Sequence, residues 1–153
     1  MNNLTRIILS AIILIVIIFI VIKLLPDEKK RVINDINNLK NAVEKENKIA
    51  ILNYIDEDYF DAHNLDYKNL IKVIEEFLNT SDSIDIVISG LKVKIDSVVE
   101  HKTFYASCSL GLRVIARYEN EKVLVYGGVI QPASVKAYFR KQKDIYRVYS
   151  AKY

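Results

Sequence analysis

The run Ile7 to Ile22 (IILSAIILIVIIFIVI) carries no charge, and Leu24 and Leu25 extend it past Lys23. Residues 7 to 25 hold 17 apolar residues, one Ser and one Lys. At about 1.5 Å per residue this stretch would span about 28 Å as a helix, close to the hydrocarbon thickness of a bilayer. Lys23 falls near one end, where its stem can lie in the apolar layer while the ammonium reaches the headgroups. A cleavable signal peptide fits poorly, because the apolar core is too long, no small-x-small site follows, and only Arg6 charges the leader. The single Cys lies far downstream, which excludes a lipoprotein anchor. A buried core helix would need a large protein around it, since this segment is apolar on every side. The expectation is an uncleaved single-pass anchor over residues 1–25, with the lipid bilayer as partner through residues 7–25 and one domain over residues 26–153.

The remainder of the 153-residue chain has an ordinary soluble composition. Four Gly and two Pro exclude collagen-like and low-complexity chains, and one Cys excludes a disulfide framework or a cysteine-built metal site. Pro26 suits the first turn of a helix and Asp27 and Glu28 its positive end. Val32, Ile33, Ile36, Leu39 and Val43 follow with helical spacing. A short second helix is expected around Ile49 to Ile55. A third begins after Asp66, a fitting N-cap, with Leu70, Ile71, Ile74, Phe77 and Leu78 on one stripe.

From Ile84 onward the period changes to two. Between Thr103 and Arg117 the even positions are apolar throughout, from Phe104 to Ala116, and the odd ones are mostly polar. Ile84 to Val99 reads as a strand broken at Gly90. Glu119-Asn120-Glu121 turns into Lys122 to Ile130, where Gly127-Gly128 marks a bend, and Pro132 interrupts the ladder before Val135, Ala137 and Phe139 resume it. Gln142-Lys143-Asp144 turns into a last strand, Ile145 to Tyr153. The pattern predicts an α+β fold: three helices packed on a curved antiparallel meander of about four strands.

Charge divides this domain. Residues 27 to 91 carry 8 Lys and Arg against 14 Asp and Glu, whereas residues 92 to 153 carry 12 against 5. Arg113, Arg117, Lys136 and Arg140 could supply part of a nucleic-acid stripe, but without a binding motif such blocks mark solvated layers, and no nucleic-acid partner is expected. The acidic run Asp56, Glu57, Asp58 and Asp61 lacks the alternation, Gly and terminal Glu of a calcium loop. Two His, His63 in a polar loop and His101 in a hairpin turn, support neither a dyad nor a metal triad. No metal and no cofactor are expected. Cys108 lies on the apolar face of its strand and reads as a small hydrophobe. No Gly-rich phosphate loop, Ser nucleophile motif or repeat occurs.

The stretch Val32 to Phe60 resembles the opening of nuclear-transport-factor-2-like (NTF2-like) domains, the cystatin-like α+β cone. That family shows a helix ending "x-A-h-x-x-x-D-h-x-x-h", an aromatic, and a D-D-F or D-D-Y cluster. Ala42, Asn47, Ile51, Tyr54 and Glu57-Asp58-Tyr59 fill those positions. The close, Lys141 to Ser150 (KQKDIYRVYS), is similar to the family's final strand, with Tyr146 for the usual Trp and Asp144 for the usual Gly. The resemblance covers residues 30–153 and implies a pocket between helices and sheet. In enzymes of this superfamily, such as ketosteroid isomerase, polyketide cyclases and scytalone dehydratase, a carboxylate or His acts there beside Tyr, Asp or His donors.

On that basis Tyr54, Asp58, Tyr59 and His63 are ligand-pocket candidates, no catalytic residue is assigned, and Asp58 and Asp61 also read as loop and capping carboxylates. Tyr105, Arg113 and Arg117, on the polar face of their strand, are partner-face candidates for a protein partner or self-association. The expected function is a membrane-anchored, non-enzymatic domain that binds a protein partner or small apolar ligand. An anchor followed by this fold also resembles the inner-membrane subunits of type IV secretion systems. The alternative is a cyclase- or isomerase-type enzyme with a pocket carboxylate. Four Lys and Arg after the anchor against one before it would keep the domain in the cytoplasm, whereas the family resemblance favours the extracytoplasmic side.

Overall fold

A computed structural model of the chain describes residues 12–16, 27–99 and 103–153, with the backbone only for residues 97–99. Residues 12–16 are helical. The rest of the expected anchor over residues 7–25 lies outside the described residues, as does His101. Among the described residues no helix is long and apolar enough to cross a membrane.

Between residues 12–16 and the sheet, the described residues form three helices. Asp27 caps α1 (Glu28–Glu44), its carboxylate accepting from the amides of Lys29 and Lys30. Val32 and Ile36, four residues apart, put one face of α1 on the sheet, and both are buried. Asn47 caps α2 (Lys48–Leu52) by accepting from the Ala50 amide, and Asp66 caps α3 (Tyr67–Thr80) by accepting from Asn69. The second helix stops at Leu52 and not at Ile55 as its apolar spacing suggested. The reason is a competing partner: the Tyr54 carbonyl and the Asp56 amide bond the backbone of Val148, which draws residues 54–56 into extended pairing along the sheet.

The sheet comprises β1 (Asp82–Val99), β2 (Thr103–Tyr118), β3 (Glu121–Tyr126), β4 (Ala133–Gln142) and β5 (Ile145–Lys152). All pairs are antiparallel, in the order β1-β2-β4-β5. The sequence pattern suggested about four strands in a meander; the described residues form five. β3 pairs with Val114 to Tyr118 and β4 with Tyr105 to Leu112, so the two lie end to end along one edge of β2. What separates them is the loop 127–132, and the strand expected as far as Ile130 ends at Tyr126. Gly127 has φ +85, and a Cβ there would lie 2.5 Å from the Leu112 carbonyl oxygen, so the chain leaves the ladder where only glycine fits. The break expected at Gly90 is a register slip in β1 between Ser89 and Lys92.

β2 is regular, and its even residues face the helices. Ala106, Cys108 and Ala116 are buried there, with Val93, Ala137 and Phe139 beside them. Val32 and Ile36 close this core together with Tyr146, which is fully buried. A second cluster of Ala42, Ile51, Ile55 and Tyr59 joins α1, α2 and the segment that follows. Burying each larger aliphatic side chain contributes about 1.5–3 kcal/mol.

Tyr146 also locks the start of α1. Its hydroxyl donates to Glu28 at 2.8 Å, its amide donates to Asp35 at 2.9 Å, and Lys141 reaches both Glu28 oxygens at 3.0 Å. Burial alone would raise the Glu28 carboxyl, but the hydrogen bonds from Lys141 and Tyr146 outweigh it and hold the group below its usual value. Burial dominates at Asp35, whose carboxyl is raised.

On the other side of the sheet Arg140 grips Asp56, which has no exposed surface, through two hydrogen bonds of 2.6 and 2.8 Å. Gln142 and the Asp58 amide complete the Asp56 shell, and Arg140 extends a further bond to the exposed Asp58 carboxylate. Arg140→Ala would strand a buried carboxylate and is expected to lower stability by about 2–4 kcal/mol. Asp58→Asn removes only a solvent-exposed contact and is expected to lower it by less than about 1 kcal/mol. Chemical denaturation of the two variants measures the difference.

Candidate functional site

α1 meets the inner face of the sheet through Val32 and Ile36, and α3 packs Leu70, Ile74 and Leu78 on the Ala42, Ile51, Ile55 and Tyr59 cluster, but a gap remains between α3 and the strands. α3 has Leu70, Ile74, Phe77 and Leu78 on its inward side, yet none of its residues is buried. It is held at mid-length and at its C-terminal end: Lys48 of α2 pairs with Glu75, and the α3 C-cap Ser81 donates its hydroxyl to that of Tyr118. Between them lies a pocket of about 290 Å³.

Ile36, Leu39 and Val43 of α1 form one wall, Ile74, Phe77 and Leu78 of α3 the second, and Ile86, Ile88, Leu110, Leu112 and Val135 the floor. Cys108 lies in the same floor. Burial pushes its thiol up, and the hydrogen bond with the Ala137 backbone offsets only part of that, so the sulfur is a protonated, weakly nucleophilic group. Among the described lining residues only Lys40 carries a charge. Its ammonium is turned to Glu44, 2.8 Å from each carboxylate oxygen, and Glu44 also accepts from the Ile86 amide at 2.9 Å. The charges at the rim satisfy each other and cap an edge of β1. Chemically, such a cavity can shed water around a hydrocarbon body, and its described lining residues include no carboxylate or imidazole.

None of the four ligand-pocket candidates lines this cavity. Asp58 sits on the Arg140 clamp across the sheet. Tyr54 serves through its backbone carbonyl. Tyr59 and His63 flank Asp61, which the sequence read as a loop carboxylate and which organises a polar knot. Asp61 is buried and accepts from the amides of His63 and Leu65 at 2.8 and 2.9 Å and from the hydroxyls of Tyr153 and Tyr59 at 2.7 and 3.4 Å. Burial opposes ionisation, but these four donors prevail and hold the carboxyl below its usual value. Tyr59 and Tyr153 rise in turn, first by burial and then through Asp61, Tyr153 to about 12. The His63 ring rests on Tyr153 with centroids 4.7 Å apart and is exposed.

The partner-face candidates do share the outer face. Tyr105 meets Tyr149 edge-on at 6.0 Å, with Tyr138 adjoining. Arg113 is committed to the loop after β3, donating to the carbonyls of Gly128 and Val129 at 3.0 and 2.9 Å. Arg117 lies further along, opposite Lys122 and Asp82. The residues that build the pocket were legible only as core: the stripe on α3 and the even positions of β2 beyond Cys108 are apolar, and periodicity does not reveal whether two apolar faces touch.

No family model matches the chain, and no curated protein matches it. Solved structures do match its fold. A protein assigned as a dehydratase of the NTF2-like family from Streptomyces avermitilis superposes with a TM-score of 0.63 at 11% identity, over 82% of this chain and 95% of that one. A Mycobacterium tuberculosis protein of unknown function gives 0.63 at 9% identity, over 81% and 73%. The helical cell shape determining protein Pgp2 from Campylobacter jejuni gives 0.55 at 12% identity, over 77% of this chain but 38% of its own. This chain thus spans well under half the length of Pgp2. The α+β domain has the NTF2-like fold.

The Asp61 knot predicts a signed pH effect. A carboxyl depressed in the folded state stabilises above its unfolded pKa and loses that contribution as pH falls through the folded value. Asp61→Asn is expected to lower stability by about 1–3 kcal/mol at neutral pH, with the gap to the parent chain narrowing below about pH 4. Denaturation midpoints measured across that range check it.

Proposed function

We propose that this chain is a non-enzymatic binding domain, tethered to a membrane by residues 7–25, that takes a small apolar ligand between α3 and the sheet. The observation behind it is the pocket itself: about 290 Å³, lined by aliphatic and aromatic side chains, with its rim charges already paired. A hydrocarbon ligand gains about 25 cal/mol for each Å² withdrawn from water, and a bilayer beside the tether is a reservoir of such molecules.

A cyclase- or isomerase-type enzyme is the competing reading, supported by neighbours of this fold assigned as dehydratases. It requires a carboxylate or imidazole facing the substrate within hydrogen-bond reach. Among the described residues lining the pocket none is supplied, and the nearby Glu44 is spent on Lys40 and the Ile86 amide. Binding without turnover is what the geometry supports.

Ile74 offers the cleanest test, because it lines the pocket from a helix with no buried residue. Ile74→Glu is expected to keep the fold and to weaken binding of a long-chain alcohol by about tenfold or more, since a charge facing hydrocarbon must be desolvated. Titration with that probe measures it. Occupancy is also expected to slow alkylation of Cys108, which shares the floor. Equal affinity in the variant, together with unchanged alkylation, would remove the pocket as the binding site.

A further inference from the structure

The face of the sheet turned away from the helices carries a row of cations. Strand register sets Lys92 of β1 opposite Ser109 of β2, Ser109 opposite Lys136 of β4, and Lys136 opposite Lys152 of β5. All four residues are exposed. At about 4.8 Å per strand the row is about 14 Å long. The register slip between Ser89 and Lys92, with Gly90 at φ +59, puts one extra residue into β1, so that Val93 turns into the core and Lys92 turns outward. Like charges directly opposite each other weaken a sheet, so Lys136 beside Lys152 costs stability. Elsewhere the cations are answered: Lys40, Lys48, Lys122, Arg140 and Lys141 each hold a carboxylate. Lys92, Lys136 and Lys152 have no carboxylate within ion-pair distance among the described residues. The acids of this side are taken, Asp96 by Lys94 at 3.4 Å and Asp58 by Arg140 at 2.7 Å.

The row borders a hollow of about 310 Å³, open to solvent and lined by Ser89, Lys92, Ser109, Gly111, Pro132 and Ser134. Gly111 gives it depth, because a Cβ there would lie 2.6 Å from the Ser89 Oγ and 3.1 Å from the Pro132 Cβ. We propose that this hollow binds a small soluble ligand bearing a diphosphate, held between Lys92 and Lys136 over Ser109. Ammonium and hydroxyl groups are donors to phosphate oxygens, and uncompensated lysines in a row match the charge of a diphosphate better than that of one carboxylate. Position favours a soluble ligand over a lipid headgroup. Lys141 fastens the first turn of α1, where residues 7–25 lead into the domain, and Lys136 lies five residues back along β4, about 16 Å away. The tyrosines nearby argue against a nucleic acid: the Lys136 ammonium lies 5.3 Å from the Tyr138 ring centroid, and Tyr105 meets Tyr149 edge-on instead of forming a platform on which bases stack.

Calorimetric titration of the full chain in neutral-detergent micelles with inorganic pyrophosphate, at constant ionic strength, is the test. The parent chain is expected to bind saturably, with a dissociation constant below about 1 mM. Lys92→Gln and Lys136→Gln are each expected to weaken binding about tenfold. Ser109→Ala leaves the charge unchanged and is expected to weaken it about threefold. Lys143→Gln, which removes the same charge from the β4–β5 turn, is expected to change it by less than about twofold. Absence of saturable binding overturns the proposal. So does a chain weakened alike by Lys136→Gln and Lys143→Gln and untouched by Ser109→Ala, since that is diffuse attraction to anions and not a site. Micelles doped with an anionic phospholipid, and a short single-stranded oligonucleotide, are the other arms: binding to either that pyrophosphate does not compete away assigns the row to a membrane or nucleic-acid surface and overturns the small ligand.

Discussion

A carboxylate with no access to water must be paired, and Asp56 is that carboxylate here. Arg140 reaches it across the outer face of β5, and the Asp56 amide is bonded to the Val148 carbonyl of the same strand. These two attachments end α2 early, lay residues 54–62 along β5, and so cover one edge of the sheet. The covering segment then carries Asp61, whose four donors include Tyr153 from beyond the end of β5. At the other end of the sheet Glu28, Lys141 and Tyr146 fasten the first turn of α1. Between the two fastenings α1 has no freedom to slide, and the gap beneath α3 is the space left over.

That gap explains how one scaffold can hold an apolar pocket without collapsing. α3 is tied at mid-length by a Lys–Glu pair and at its C-cap by a Ser–Tyr hydrogen bond, while its apolar stripe contributes no buried residue. Closing the gap would bury more hydrocarbon, but Leu70, Ile74 and Leu78 already pack on the Ala42, Ile51, Ile55 and Tyr59 cluster beside it. The polar anchors thus decide where the apolar groups are allowed to meet. Function in this reading comes from an incompletely satisfied hydrophobic face and not from a constellation of acids and bases.

Much of the framework was legible in the sequence because it depends on local chemistry. The N-cap at Asp66, the change of period at Ile84, the Gly90 irregularity and the turns at 119–121 and 142–144 each follow from one residue's side chain or backbone freedom. What was not legible depends on partners distant in the chain. Ile55 has helical spacing and an extended backbone because Val148 competes for its neighbours. Asp58 and Asp61 sit three residues apart in one acidic run, yet one serves an exposed ion pair and the other a buried knot. Composition and spacing treat them alike; only the strands placed beside them separate the roles.

The charge asymmetry of the chain now has a spatial meaning. The acidic half contributes the helices and the carboxylates that reach over to the sheet: Glu28 to Lys141, Asp56 to Arg140, and Glu44 and Glu46 to edge amides of β1. The basic half contributes the strands that receive two of these four, at Lys141 and Arg140. The opposite signs are therefore not simply two solvated coats, since several of the charges cross the interface between the layers and fasten one to the other. Those contacts protect β1 and β5, while the outer edge of β3 receives none of them among the described residues.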